Sequence, residues 1–141
     1  MSYKVFGIRA ARLFDGHTVH EGPVLILIDS GQIQDVDLTG ALPPEGAELI
    51  DLGDTTLLPG LVDSHTHLVW DPSGNPENLA TDSNADLLLR ARKHATAALH
   101  SGITTVRDLG DRDFATLQLR NEDQAGQGIG PELLVAGPPI T

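Results

Sequence analysis

Leu57-Leu58-Pro59-Gly60-Leu61-Val62-Asp63-Ser64-His65-Thr66-His67-Leu68 decides how this chain is read. The stretch is apolar up to a Pro-Gly break, turns apolar again, and then carries two histidines one residue apart. A β-strand sends residues i and i+2 to the same face, so His65 and His67 project together. Two imidazoles on one face can ligate the same metal ion, and neutral imidazole suits zinc and similar divalent metals. An H-x-H pair alone arises readily by chance; the surroundings make this one informative.

Downstream the pattern alternates. Leu61–Val69 reads as a strand with few charges, and Asp71–Thr81 as a loop rich in Pro, Gly and Asn. Ser83 opens a helix, with Asp86 three residues on in a capping-box-like pattern. Leu88, Ala91, Ala95, Ala98 and Leu99 recur at helical spacing, and Gly102 is placed to stop the helix. Ile103–Leu109 is β-branched and reads as a second strand. Asp113 is placed to cap a second helix through Ala125, and Leu133–Ala136 begins a third strand. Strands separated by helices imply parallel βα units with right-handed crossovers. The histidine pair then falls at the C-terminal end of the first parallel strand. In barrels of parallel strands that is the end where the chemistry sits.

Upstream, the chain reads as short strands: Tyr3–Ala11, Val24–Ile28, Gln32–Val36, Glu48–Leu52 and Thr55–Leu58. Turns fall at Asp15-Gly16, Asp29-Ser30-Gly31 and Gly53-Asp54, and the second and third strands form a hairpin. The expected division is therefore a β-rich part, residues 1–58, and a βα part, residues 59–141.

Composition bounds the function. Aromatics are only 4%, so the core is built from Leu, Ile, Val and Ala. The net charge of −11 is spread over both parts, and no basic patch marks a nucleic-acid partner. There is no cysteine, which excludes disulfides and thiolate metal sites. The longest aliphatic run, Val24–Ile28, is too short to span a bilayer, and no signal-peptide core follows Met1. The expectation is a soluble cytoplasmic protein with no membrane or nucleic-acid partner. Self-association into a homo-oligomer is left open.

The residues also carry a family resemblance. The segment Leu57–Leu68 resembles the opening signature of the amidohydrolase superfamily. Gly102-Ile103-Thr104-Thr105-Val106-Arg107-Asp108-Leu109-Gly110 resembles the second-strand segment of its imidazolonepropionase-like and Xaa-Pro-dipeptidase-like branch. Gly130-Pro131-Glu132-Leu133-Leu134-Val135-Ala136-Gly137 resembles the third, although the branch usually has Arg where Glu132 stands. The resemblance implies an α/β fold: the N-terminal part of a metal-dependent (β/α)8 TIM barrel, preceded by a small composite β-sandwich. It implies one or two divalent ions, zinc first, with His65 and His67 as ligands. The reaction it implies is hydrolysis of a C–N bond in a small-molecule substrate (an amide, cyclic amide or dipeptide) by a metal-activated water, with a carboxylate passing the proton to the leaving nitrogen. A mononuclear deaminase of the same superfamily and a non-catalytic scaffold that keeps the fold are the alternatives.

Other residues near the pair have two readings each. Asp63, one step deeper on the histidine face, either orients a ligand or supplies structural polarity inside the barrel. Trp70 either walls the substrate pocket or packs. Asp108 either lines the pocket or belongs to an Arg107–Asp108 arrangement or a loop cap. His94 and His100 read as surface residues of the first helix, and His17 and His20 have no metal-like partners. A complete barrel needs ~250 residues. The chain is therefore expected to be a portion of a longer enzyme, with the remaining ligands and the general base beyond Thr141, and inactive alone.

Overall fold

A computed structural model describes residues 5–71, 73 and 80–140. The chain divides into two compact units, Met1–Pro59 and Gly60–Thr141. The first contains β1 (Phe6–Phe14), β2 (Val19–Asp29), β3 (Gln32–Asp37), β4 (Glu48–Asp51) and β5 (Thr56–Leu57). They form one mixed sheet ordered β3-β2-β1-β4, with β5 beside the far end of β1. β1 pairs antiparallel with β2 and parallel with both β4 and β5.

The β2–β3 hairpin closes where Asp-Ser-Gly predicts it. Ser30 and Gly31, between the paired Asp29 and Gln32, both have positive φ (53° and 75°). Left-handed backbone at both central positions is the two-residue turn whose twist matches the flanking strands. At the other end of β2, the Asp15 carboxylate accepts the N–H groups of His17 and Thr18. Ala10, Leu13 and Val24 form the core of this unit.

The second unit runs β6 (Leu61–Thr66), α1 (Asn84–His100), β7 (Ile103–Asp108), α2 (Ala115–Gln124) and β8 (Glu132–Val135). Its three strands are parallel, in the order β6-β7-β8. This is the expected strand–helix alternation of an opening barrel segment. Leu68, Val69, Leu87, Ala91, Ala95, Val106, Ala115, Leu119 and Leu133 make one core between sheet and helices. Burying each large side chain contributes roughly 1.5–3 kcal/mol. Arg92 of α1 reaches Glu122 and Asp123 of α2 at 2.5 and 3.2 Å and ties the helices together.

The caps explain the helix bounds. Ser83 accepts the Asp86 N–H, as the sequence predicts, and Gly102 leaves α1 at φ 88°. The second helix departs from expectation. Asp113 does not cap it; Asp113 and Phe114 are both left-handed, and Phe114 occupies the cap position without a side-chain bond. The carboxylate that serves the first turn is Asp111, which takes both the N–H and the hydroxyl of Thr116 at 2.7 Å. Of the expected loop Asp71–Thr81, residues 72 and 74–79 lie outside the described residues, as does the start of the expected first strand, residues 3–4. No helix among the described residues is long and apolar enough to cross a membrane.

Candidate metal centre

β6 stops at Thr66, three residues before the expected end at Val69. The reason is a competition for backbone N–H groups. The Leu68 N–H leaves the ladder for the Asp108 carboxylate at 2.7 Å, and the Trp70 N–H returns to the His67 carbonyl at 3.2 Å. The turn this makes drives Leu68 and Val69 into the helix-side core, 3% and 0% exposed. His65 is thus on the strand and His67 is the first residue after it.

The two rings still meet at the strand's C-terminal end. Their centroids are 5.7 Å apart and the planes are steeply inclined, at 73°. Trp70, half exposed, leans over His67 with centroids 5.0 Å apart. The His67 Nδ1 lies 3.1 Å from the Gly110 carbonyl oxygen. A carbonyl only accepts, so Nδ1 carries the hydrogen, and in the neutral ring Nε2 is the nitrogen left with a lone pair. Metal-ligating histidines are commonly held this way, by a carbonyl or carboxylate at the other ring nitrogen.

Asp63 acts on the backbone of the pair. Its Oδ1 accepts the His65 N–H at 3.0 Å, which sets the strand where the first histidine leaves it. Asp108 is fully buried, and both oxygens take backbone N–H groups: Leu68 at 2.7 Å and Gly110 at 3.1 Å. Burial pushes its carboxyl above the ordinary value; the two N–H bonds oppose that shift, the Asp111 charge adds to it and His67 offsets part of it. Arg107 alternates outward and is exposed.

Two further residues of α1, His94 and Arg90, belong to this region. His94, expected on the surface, is half-buried, and its Nδ1–H donates to the Leu68 carbonyl at 2.9 Å. Arg90 donates to the Val69 carbonyl at 2.9 Å and pairs with Asp82 at 2.5 Å. The signal was in the spacing: Leu87, Ala91 and Ala95 form the buried stripe of α1, and Arg90 and His94 flank it. His100 is exposed at the end of α1, and His20 pairs with Asp15 at 2.7 Å in the first unit.

Among the described residues, no group of three or more His, Cys, Asp or Glu lies close enough to hold a metal ion. The donors present fit a divalent metal as part of a larger ligand set. They are two imidazoles on neighbouring positions, one with a ring nitrogen already engaged by a carbonyl.

The profile described as "Amidohydrolase family" matches residues 56–141. The chain belongs to the amidohydrolase family. Among solved structures it is similar to a Xaa-Pro dipeptidase with methionine bound in its active site, at 30% identity and a TM-score of 0.84. The match covers 97% of this chain and 34% of that one, so the chain spans about a third of the dipeptidase. An imidazolonepropionase from Cereibacter sphaeroides is 40% identical over 63 residues, 45% of this chain and 16% of the relative. An allantoinase from Streptomyces avermitilis is 48% identical over 46 residues, 33% and 10% of the two chains. The fold class is the one the sequence implies.

Proposed function

We propose that this amidohydrolase-family chain supplies the first-strand metal ligands of a hydrolase that cleaves a C–N bond in an amide, cyclic amide or dipeptide. The observation that carries the reading is the His67 ring: Nδ1–H is committed to the Gly110 carbonyl, and Nε2 is left for a ligand. His65, 5.7 Å away, supplies the second nitrogen. A divalent ion held there, zinc first, lowers the pKa of water to about 7 and polarises a scissile carbonyl. The chain's own residues hold and orient. Asp63 sets the backbone at His65, Trp70 covers one side of His67, and the Trp70 indole offers an apolar wall to a small substrate. The reading carries a small-molecule substrate, a cytoplasmic location and no nucleic-acid partner. With only two histidine ligands, the 141-residue chain is expected to hold zinc weakly and to be inactive alone.

The test uses this chain extended to the length of its relatives. Zinc-dependent hydrolysis of a dipeptide or cyclic amide, lost in both His65→Ala and His67→Ala, is the expected result. Hydrolysis that survives chelation and both substitutions would overturn the reading, and ammonia release without amide hydrolysis would favour a deaminase.

A further inference from the structure

We infer that Asp108 is a positioning residue for His67, closing a ring of hydrogen bonds that holds both the backbone after His67 and the carbonyl that grips its imidazole. Its consequence for metal binding rests on the proposed function; the geometry itself does not. One carboxylate oxygen takes the N–H of Leu68, the residue following His67. The other takes the N–H of Gly110, whose carbonyl accepts the His67 Nδ1–H. The ring therefore runs from Asp108 to Leu68, along the chain to His67, across its side chain to Gly110 and back to Asp108.

The geometry favours a carboxylate. Both backbone groups are donors, so the tie needs two acceptor oxygens on one short side chain. Asparagine offers one oxygen and turns an NH2 toward the other N–H. Asp108 is 0% exposed, so water cannot replace a lost bond without entering the core. The helix side braces the same turn independently. His94 holds the Leu68 carbonyl and Arg90 the Val69 carbonyl, so Leu68 is held at its N–H by Asp108 and residues 68–69 at their carbonyls by α1. Loss of Asp108 leaves the Gly110 N–H without its acceptor, and with it loosens the carbonyl that selects the His67 tautomer.

The test is the protonation pattern of His67 in the metal-free 141-residue chain, read from long-range 1H–15N NMR. In the wild type the proton sits on Nδ1. In Asp108→Asn the Nδ1–H form loses its dominance and Zn(II) binds about 10- to 100-fold more weakly. Asp111→Asn removes another buried carboxylate of the same unit, one bonded to Thr116, and leaves the His67 pattern unchanged. A wild-type proton on Nε2, or an Asp108→Asn chain that keeps the wild-type tautomer, overturns the inference. A loss of tautomer order with unchanged Zn(II) affinity supports the positioning and overturns the ligand role of His67 instead. Should Asp108→Asn fail to fold, wild-type amide exchange decides. Leu68 and Gly110 protected together support the ring, and rapid exchange at either overturns it.

Discussion

The His67 imidazole is held on three sides: by the Gly110 carbonyl at Nδ1, the Trp70 ring across one face and the edge contact of His65. Gly110 bears most of this, and its backbone has φ 151°, a conformation that L side chains rarely adopt. Gly110→Ala is expected to destabilise the second unit by about 1–3 kcal/mol in denaturant unfolding, through backbone strain rather than crowding. The space beside it is adequate, because an added Cβ would lie 3.8 Å or more from its neighbours. A second residue-scale prediction concerns Asp15 in the first unit. The His20 ring and the Thr18 and His17 N–H groups hold its carboxyl well below the ordinary 3.8. A depressed folded-state pKa gives stability that is present above the unfolded value and lost as pH falls through the folded one. The β1–β2 turn should therefore keep its amide protection down to about pH 4 and lose it in stronger acid; Asp15→Asn should show low protection with no such acid step. At this scale the sequence was legible for the histidine pair and left Asp108 open among a pocket wall, an Arg107–Asp108 arrangement and a loop cap, because its two N–H partners are separated by some forty residues of chain and meet only once β6 and β7 are paired.

At the scale of elements, local signals did best where they were self-contained. Ser83 and Asp86 announce the start of α1: the Asp86 N–H bonds Ser83 Oγ at 3.2 Å, and the Ser83 hydroxyl donates to the Asp86 carboxylate at 2.6 Å. Ser83→Ala should cost about 1 kcal/mol, read as a lowered denaturant midpoint at unchanged slope. The Pro59-Gly60 break is likewise explained by contact: a Cβ on Gly60 would overlap the Thr104 side chain of β7, so the chain can enter β6 only as glycine there. The end of β6 was not legible. Leu68 and Val69 look like strand residues by composition, but a buried carboxylate 40 positions away takes the N–H that would have continued the ladder. The start of α2 failed for a similar reason. Asp113 has the right residue type for a cap, yet Asp111 reaches Thr116 first and Asp113 turns left-handed. His94 was misplaced because the stripe of α1 was centred on Leu88 when Leu87 is the residue fully buried.

For the whole molecule, the alternation of strand and helix after Pro59 sufficed to read a parallel α/β fold. Residues 56–141 match the amidohydrolase profile, and almost the whole chain superposes on a third of a dipeptidase. Leu61, Val62 and Leu134 of the parallel sheet are 53%, 66% and 44% exposed. Aliphatic side chains and edge strands of this kind are surfaces that ordinarily receive further chain. The central claim is that His65 and His67 form part of a metal site, with His67 binding through Nε2. Its most direct test is a Zn(II) titration of the wild-type chain followed at the histidine ring nitrogens by long-range 1H–15N NMR. A ring nitrogen of His65 and Nε2 of His67 should move together and saturate at one ion per chain, with His17, His20, His94 and His100 unchanged. Zn(II) that leaves this pair unmoved, or that engages it through Nδ1 of His67, would contradict the account.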